Sequence, residues 1–242
     1  MGTGRGPAEP YAPAMARAIT RDFVIDAFGH LEVPDPIVEF GSMEVEAHQD
    51  GDLRGVLAPL GRSFALRTDS RPGPGVDRLE DLRGLTFDDG ELGAAVCLDT
   101  LEHCADPWTA VREMHRVLRP DGGVCLISSV MRFPIHNYPD DFFRFTPSGF
   151  ATLLGPFDGV AVCGVGDPAF PQDVFGLGVR GRSLDGVDLL GDTRLGFHQR
   201  VHERGPWIRI GHDGHRPAEL ARTALADLPR YVRARIAQRR SA

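Results

Sequence analysis

Short apolar runs alternate with stretches of helical spacing along most of this 242-residue chain. Ile19, Phe23, Val24 and Ala27 recur at helical intervals and predict a helix over 14–28. Pro34 and Pro36 then interrupt regular structure. Residues 37–40 form a short, mostly apolar run ending at Gly41, as a buried parallel strand would. Leu53, Val56, Leu57 and Leu60 predict a second helix over 52–60, capped by Gly61. Residues 63–66 read as a second strand that leads to Asp69, and 92–98 as a third. Asp106-Pro107 is an N-cap followed by a first-turn proline, with Val111, Met114, Val117 and Leu118 facing inward behind it. Residues 124–130 are a nearly unbroken apolar and small-residue strand. Thr146-Pro147 repeats the capped start ahead of Phe150, Leu153 and Leu154, and strands are predicted over 159–165 and 174–179. Strands that alternate with helices imply an α/β architecture, a mostly parallel sheet covered on both faces. The expected organisation is an N-terminal segment with a helix over 1–35, a core over 36–182, and a C-terminal extension over 183–242 with a helix at 217–238.

Composition narrows the function classes. The formal charge is −7, and all 27 basic residues are arginine. That balance argues against a general nucleic-acid binder, which needs a basic face to neutralise phosphates. Seven arginines cluster after His215, most simply as a solvated terminal helix. No apolar run approaches a membrane span, and the first residues lack the apolar stretch of a secretion signal, so a cytoplasmic protein is expected. Cys97, Cys104, Cys125 and Cys163 have no C-x-x-C spacing and read as free thiols.

In a parallel sheet of this kind, ligands bind at the carboxyl ends of the strands. The loops after Phe40, Leu66, Leu98 and Val130 should therefore converge. The first holds Glu39, Gly41 and Ser42, with one glycine and further acids at Glu44 and Glu46. A dinucleotide pyrophosphate would want more glycines and no acids, so the loop suits a cofactor without phosphates. Asp69 and Ser70, 28 and 29 residues after Gly41, end the second strand, where a carboxylate can take ribose hydroxyls. Asp69 also reads as a turn-forming aspartate. Asp81 can accept from an adenine amino group, with Leu82 against the ring.

Several of these features recur in order: Asp69, Glu80-Asp81-Leu82, Leu98-Asp99-Thr100-Leu101-Glu102-His103, Asp106-Pro107, and Arg116-Val117-Leu118-Arg119-Pro120-Asp121-Gly122-Gly123. Over residues 36–155 this resembles the class I S-adenosylmethionine-dependent methyltransferases with a methyltransferase-11-type domain. The resemblance implies a Rossmann-like, doubly wound sheet of seven strands and S-adenosyl-L-methionine as cofactor, with S-adenosyl-L-homocysteine as its product. It assigns Glu39, Gly41 and Ser42 to the first cofactor loop and Asp69 and Ser70 to the ribose. Asp81 and Leu82 go to the adenine, and Leu98, Asp99 and Thr100 to the methionine part.

The acceptor side points to residues 133–147, which pack His136, Asp140, Asp141, Arg144 and five aromatic residues into the place of a substrate lid. His136 and His103 are the candidate bases, although each also reads as a loop-pinning histidine. Asp140, Asp141 and Arg144 are candidate substrate contacts, and an internal ion pair among them is the plainer reading. His198 and His202 lack the order of a helical zinc motif, so no metal ligand is assigned. The function that follows is methyl transfer to an oxygen, nitrogen or carbon of a small molecule, in a biosynthetic setting, with the C-terminal extension as a candidate homodimer surface. The rival reading, motivated by the single-glycine loop, is a scaffolding protein that keeps the fold without methylating.

Overall fold

A computed structural model of the chain describes residues 13–44, 53, 55–136, 139–203, 208–210 and 213–215. Helix α1 spans Pro13–His30 and strand β1 Ile37–Phe40. They are followed by β2 (Leu66–Asp69), β3 (Arg78–Leu79), β4 (Ala94–Cys97), α2 (Pro107–Val117), β5 (Val124–Val130) and α3 (Pro147–Leu153). Then come β6 (Gly159–Asp167), β7 (Phe170–Val179), α4 (Arg194–Glu203) and a small hairpin, β8 (Ile208–Ile210) and β9 (Asp213–His215).

The main sheet has seven strands in the order β3-β2-β1-β4-β5-β7-β6. Strands β1 to β5 are parallel to their neighbours, and β7 runs antiparallel to both β5 and β6. The order reverses between β1 and β4, the switch point where an open α/β sheet binds ligands. The expected doubly wound α/β sheet is thus the observed one.

Alternation along the strands sorts the core into two layers. Ile37, Ala94, Val96, Val124 and Leu126 pack under Phe23 and Val24 of α1. Val38, Phe40, Ala95, Cys97, Cys125 and Ile127 pack under α2 and α3 on the other face. Both buried helices use the starts read from the sequence. Asp106 accepts from the Thr109 amide and Thr146 from the Gly149 amide, each ahead of a first-turn proline. Val111, Met114, Val117, Leu118 and Phe150 are fully buried, as their spacing predicts.

Two expectations change. The helix over 52–60 is replaced, in its described part, by a turn and a single 3-10 turn, Ala58–Leu60. Gly55 and Pro59 explain this, since proline supplies no amide for a helical ladder. Leu53, Val56 and Leu57 are still buried, and Gly61 still caps in the left-handed region. The second strand begins at Leu66 rather than at Ser63, because pairing with β1 starts with Val38 opposite Leu66, and it ends at Asp69 as expected. The two-residue edge strand β3 and helix α4 carry too little periodicity to be read in advance.

Helix α4, within the predicted extension, packs on α1 and β6. Leu195 is buried, and Asp26 of α1 accepts from the Leu195 amide and pairs with Arg194. His198 meets Asp22 at 2.8 Å and His202 is buried. The helix expected over 217–238, with most of the arginine cluster, lies outside the described residues.

Candidate functional site

The ends of β1, β2, β4 and β5 open into a cavity of about 400 Å³, within the usual size range of small-molecule sites. Glu39, Gly41, Ser42, Asp69, Ser70, Asp81, Leu82, Leu98, Asp99 and Thr100 all line it, so the structure brings every sequence-predicted cofactor residue together. His103, His136 and Asp140 line it as well. Asp141 and Arg144 do not; they sit behind the wall and pair with each other.

The first loop is shaped by close approach. Gly41 has φ +76°, and a Cβ there would lie 2.8 Å from Thr100 Cβ and closer still to its hydroxyl. Only glycine satisfies both the left-handed backbone and that contact. Beneath the loop, Glu39 and Arg67 face each other across the β1–β2 register, and their side chains meet at 2.7 Å with both groups buried. Arg67 also reaches Glu44 and the Ser42 carbonyl. Glu39 therefore orders the loop through Arg67. Ser42 donates to the Gly75 carbonyl, tying the loop to residues 71–75.

Asp69 accepts from the amides of Met43 and Arg71, so its turn-forming role is real. Each carboxylate oxygen has a further lone pair, which leaves capacity for hydroxyl donors in the cavity. Asp81 is gripped by Arg83, whose hydrogen bond lowers its pKa and keeps it an acceptor. Asp99 holds φ +48°, a strained position for a residue with a side chain. Its amide donates to Ser128, and the Ser128 hydroxyl donates back to its carboxylate at 2.7 Å.

The segment expected to form a lid is fastened to the turn at 101–103. Phe142 and Phe143 donate their amides to the Glu102 carbonyl, and the His103 ring donates from Nδ1 to the Asp140 carbonyl. The His103 and His136 rings meet edge to face, 4.7 Å apart. His136 Nδ1 lies 3.1 Å from Asp141 Oδ2, and Arg144 clamps that carboxylate with two nitrogens. Arg144 thereby holds Asp141 down to a pKa of about 2. Burial lowers the pKa of His103 and keeps it neutral. Glu102 is fully buried; desolvation, and then the charge of Asp99, raise it to about 8.

The lining also carries a chemical preference. Eight carboxylates and three guanidiniums face the cavity, an arrangement that favours a cationic ligand and opposes a pyrophosphate. A family model described as a methyltransferase domain matches residues 64–126, which run from the start of β2 into β5. The match covers about a quarter of the chain, and over it the chain is similar to a methyltransferase domain. A protein from Pyrococcus horikoshii shares the fold at 13% identity, over 68% of this chain and 91% of its own, with a TM-score of 0.50. The CurJ carbon methyltransferase is similar over 72% of this chain and 56% of its own, at 11% identity and the same TM-score.

The residues that line the cavity fit S-adenosylmethionine, the cofactor that the resemblance implies. Gly41 allows the close backbone approach, Asp69 offers acceptors at the end of β2, and the acidic lining suits a sulfonium. Sequence reasoning missed Arg67, Glu102, Ser128 and Thr20. Thr20, from α1, lines the cavity and reaches Asp99 at 3.5 Å. Arg67 stands in the strand Leu66-Arg67-Thr68-Asp69, where only Leu66 is apolar, so nothing local marked it as buried. Glu102 was visible within the Leu-Glu-His triplet, where the histidine drew the attention.

Proposed function

We propose that the chain transfers the methyl group of S-adenosylmethionine to an oxygen, nitrogen or carbon of a small biosynthetic molecule. The observation that carries this reading is the single cavity shared by two sets of side chains. Gly41, Asp69, Asp81, Leu82, Leu98, Asp99 and Thr100 form the half that would hold the cofactor. His103 and, from the lid itself, Phe133, His136, Pro139, Asp140 and Phe142 form the other half. Bound there, the cofactor supplies an electrophilic methyl carbon, and the protein's task is to position the acceptor in line with it.

His136 is the side chain best placed to meet the acceptor's heteroatom. The Asp141 carboxylate beside Nδ1 fixes the proton on that nitrogen and leaves the ring lone pair on Nε2. Asp141 and Arg144 thus act on the acceptor through His136 rather than by touching it. The aromatic rings of Phe133 and Phe142 suit an acceptor with a flat or apolar part, and the acidic lining disfavours nucleic acid. An orienting carboxylate behind a cavity histidine favours methyl transfer over a scaffold that only binds the cofactor.

Calorimetry with S-adenosylmethionine, followed by product analysis with candidate acceptors, tests the reading. Saturable cofactor binding is expected. His136→Ala should cut turnover about 10²- to 10⁴-fold, the usual worth of a positioned proton-handling group, while cofactor affinity is retained. Absence of any heat or thermal shift at millimolar cofactor would refute the proposal.

A further inference from the structure

The two histidines of the acceptor half stand beside the buried carboxyl of Glu102, which the methyl-transfer reading leaves unused. A ring nitrogen of His103, one of His136 and a carboxylate oxygen of Glu102 all lie within 4.8 Å of one another. We propose that Glu102, His103 and His136 bind a divalent first-row transition metal ion through two imidazole nitrogens and one carboxylate oxygen.

The surroundings of the three side chains support this more than their proximity does. Histidines that hold a metal nearly always donate their other ring N–H to a carbonyl or carboxylate, and ligating carboxylates are themselves hydrogen-bonded. Here His103 Nδ1 donates to the Asp140 carbonyl. His136 Nδ1 faces Asp141, which Arg144 holds in turn. Glu102 Oε2 accepts from the Ser129 hydroxyl at 2.9 Å. Each candidate ligand thus has a partner that fixes its orientation.

An independent sign comes from the other carboxyl oxygen. Glu102 is fully buried, and its Oε1 has no hydrogen-bond partner among the described residues. Buried polar atoms are nearly always satisfied, and a bound ion is one explanation of an exception. Glu102 lines the same cavity as both histidines, so the unsatisfied oxygen belongs to a place a ligand can reach.

The ligand set indicates the class of ion. Imidazole nitrogens suit zinc, cobalt, nickel and iron, whereas magnesium and calcium want oxygen. Three protein ligands are the number found in sites that keep a position open for substrate. On the methyl-transfer reading, which this consequence rests on, an acceptor hydroxyl takes the open position and is acidified there, and His136 then holds the ion rather than taking the proton itself. Its proton leaves to solvent and its oxygen bonds to the methyl carbon. The carbon–sulfur bond breaks, releasing the neutral thioether.

The test uses the full chain after chelator treatment, titrated with Co²⁺ by visible absorption and with Zn²⁺ by calorimetry. One equivalent should bind, with the intense bands of a low-coordinate Co²⁺ centre. His103→Ala and His136→Ala should each weaken binding at least tenfold, while His198→Ala, on α4, should bind like the parent. No saturable binding, or binding that His136→Ala leaves unchanged, overturns the proposal. S-adenosylmethionine calorimetry on the same proteins separates the two readings. Retained cofactor binding in His136→Ala shows that the variant is folded and that any lost metal affinity is local. Failure of the parent to bind cofactor counts against methyl transfer and leaves the metal result standing.

Discussion

At the scale of single residues, the cofactor half of the cavity depends on one position where no other amino acid fits. Gly41 combines a positive φ with a direct approach to Thr100. Gly41→Ala should therefore lose more than about 1 kcal/mol of stability from the left-handed backbone alone. It should also weaken S-adenosylmethionine binding at least tenfold, because relief of the clash moves the loop that would meet the cofactor. Calorimetry and urea denaturation check both effects. Arg67 behaves differently, because its importance comes from what it neutralises. Its guanidinium and the Glu39 carboxylate are both buried, and removing one partner of such a pair costs about 3–5 kcal/mol. Arg67→Ala should be that destabilised by urea denaturation. The double replacement Glu39→Met with Arg67→Met should recover most of the loss, since it removes both charges together. Glu39 was legible as a site residue, but its partner was not. The 28-residue gap between them becomes a contact only through the β1–β2 register.

At the scale of elements, legibility followed the strength of the local signal. Helices α2 and α3 could be placed because each has a cap, a first-turn proline and an apolar stripe. The stretch 52–60 has the stripe and a capping glycine at Gly61, but its Gly55 and Pro59 defeat a continuous helix. The two-residue β3 exists because Thr68 and Asp69 offer it an edge to pair with, which no local pattern announces. The last turn of α2 makes a prediction of its own. His115 packs edge to face on Phe157, 5.0 Å between rings. Burial, and then the Arg180 charge, lower its pKa below 6.5, with Asp158 opposing them. The folded protein therefore prefers neutral His115, and the unfolded chain takes the proton first. This gives full stability above pH 6.5 and a loss as the pH falls below it. His115→Gln should reduce the stability difference between pH 7 and pH 5, measured by urea denaturation at each pH. An unchanged difference would show that other groups govern acid sensitivity in that window.

At the scale of the whole molecule, the mostly parallel sheet and the convergence of the loops after Phe40, Leu98 and Val130 were legible, because those loops follow strands that their own sequence defines, whereas the strand order was not. The acceptor half was only partly legible. Its geometry comes from Glu102 anchoring residues 142 and 143, 40 and 41 positions later, through main-chain bonds. The cavity thus joins α1, four strand ends and the lid, and a ligand that fills it should brace them together. Binding to the folded state alone adds stability by mass action. Cofactor at a hundred times its dissociation constant contributes about 2.7 kcal/mol, which raises the melting temperature of a chain this size by roughly 5–10 °C. The rise should grow with the logarithm of cofactor concentration and should be matched by S-adenosylhomocysteine, which offers the same ribose, adenine and amino acid groups. Gly41→Ala should show little of it at the same concentrations, and His136→Ala should show all of it, because only the first alters the cofactor half. A parent-sized shift in Gly41→Ala would mean that the first loop does not hold the cofactor and that Asp69 and Asp81 carry its binding without it.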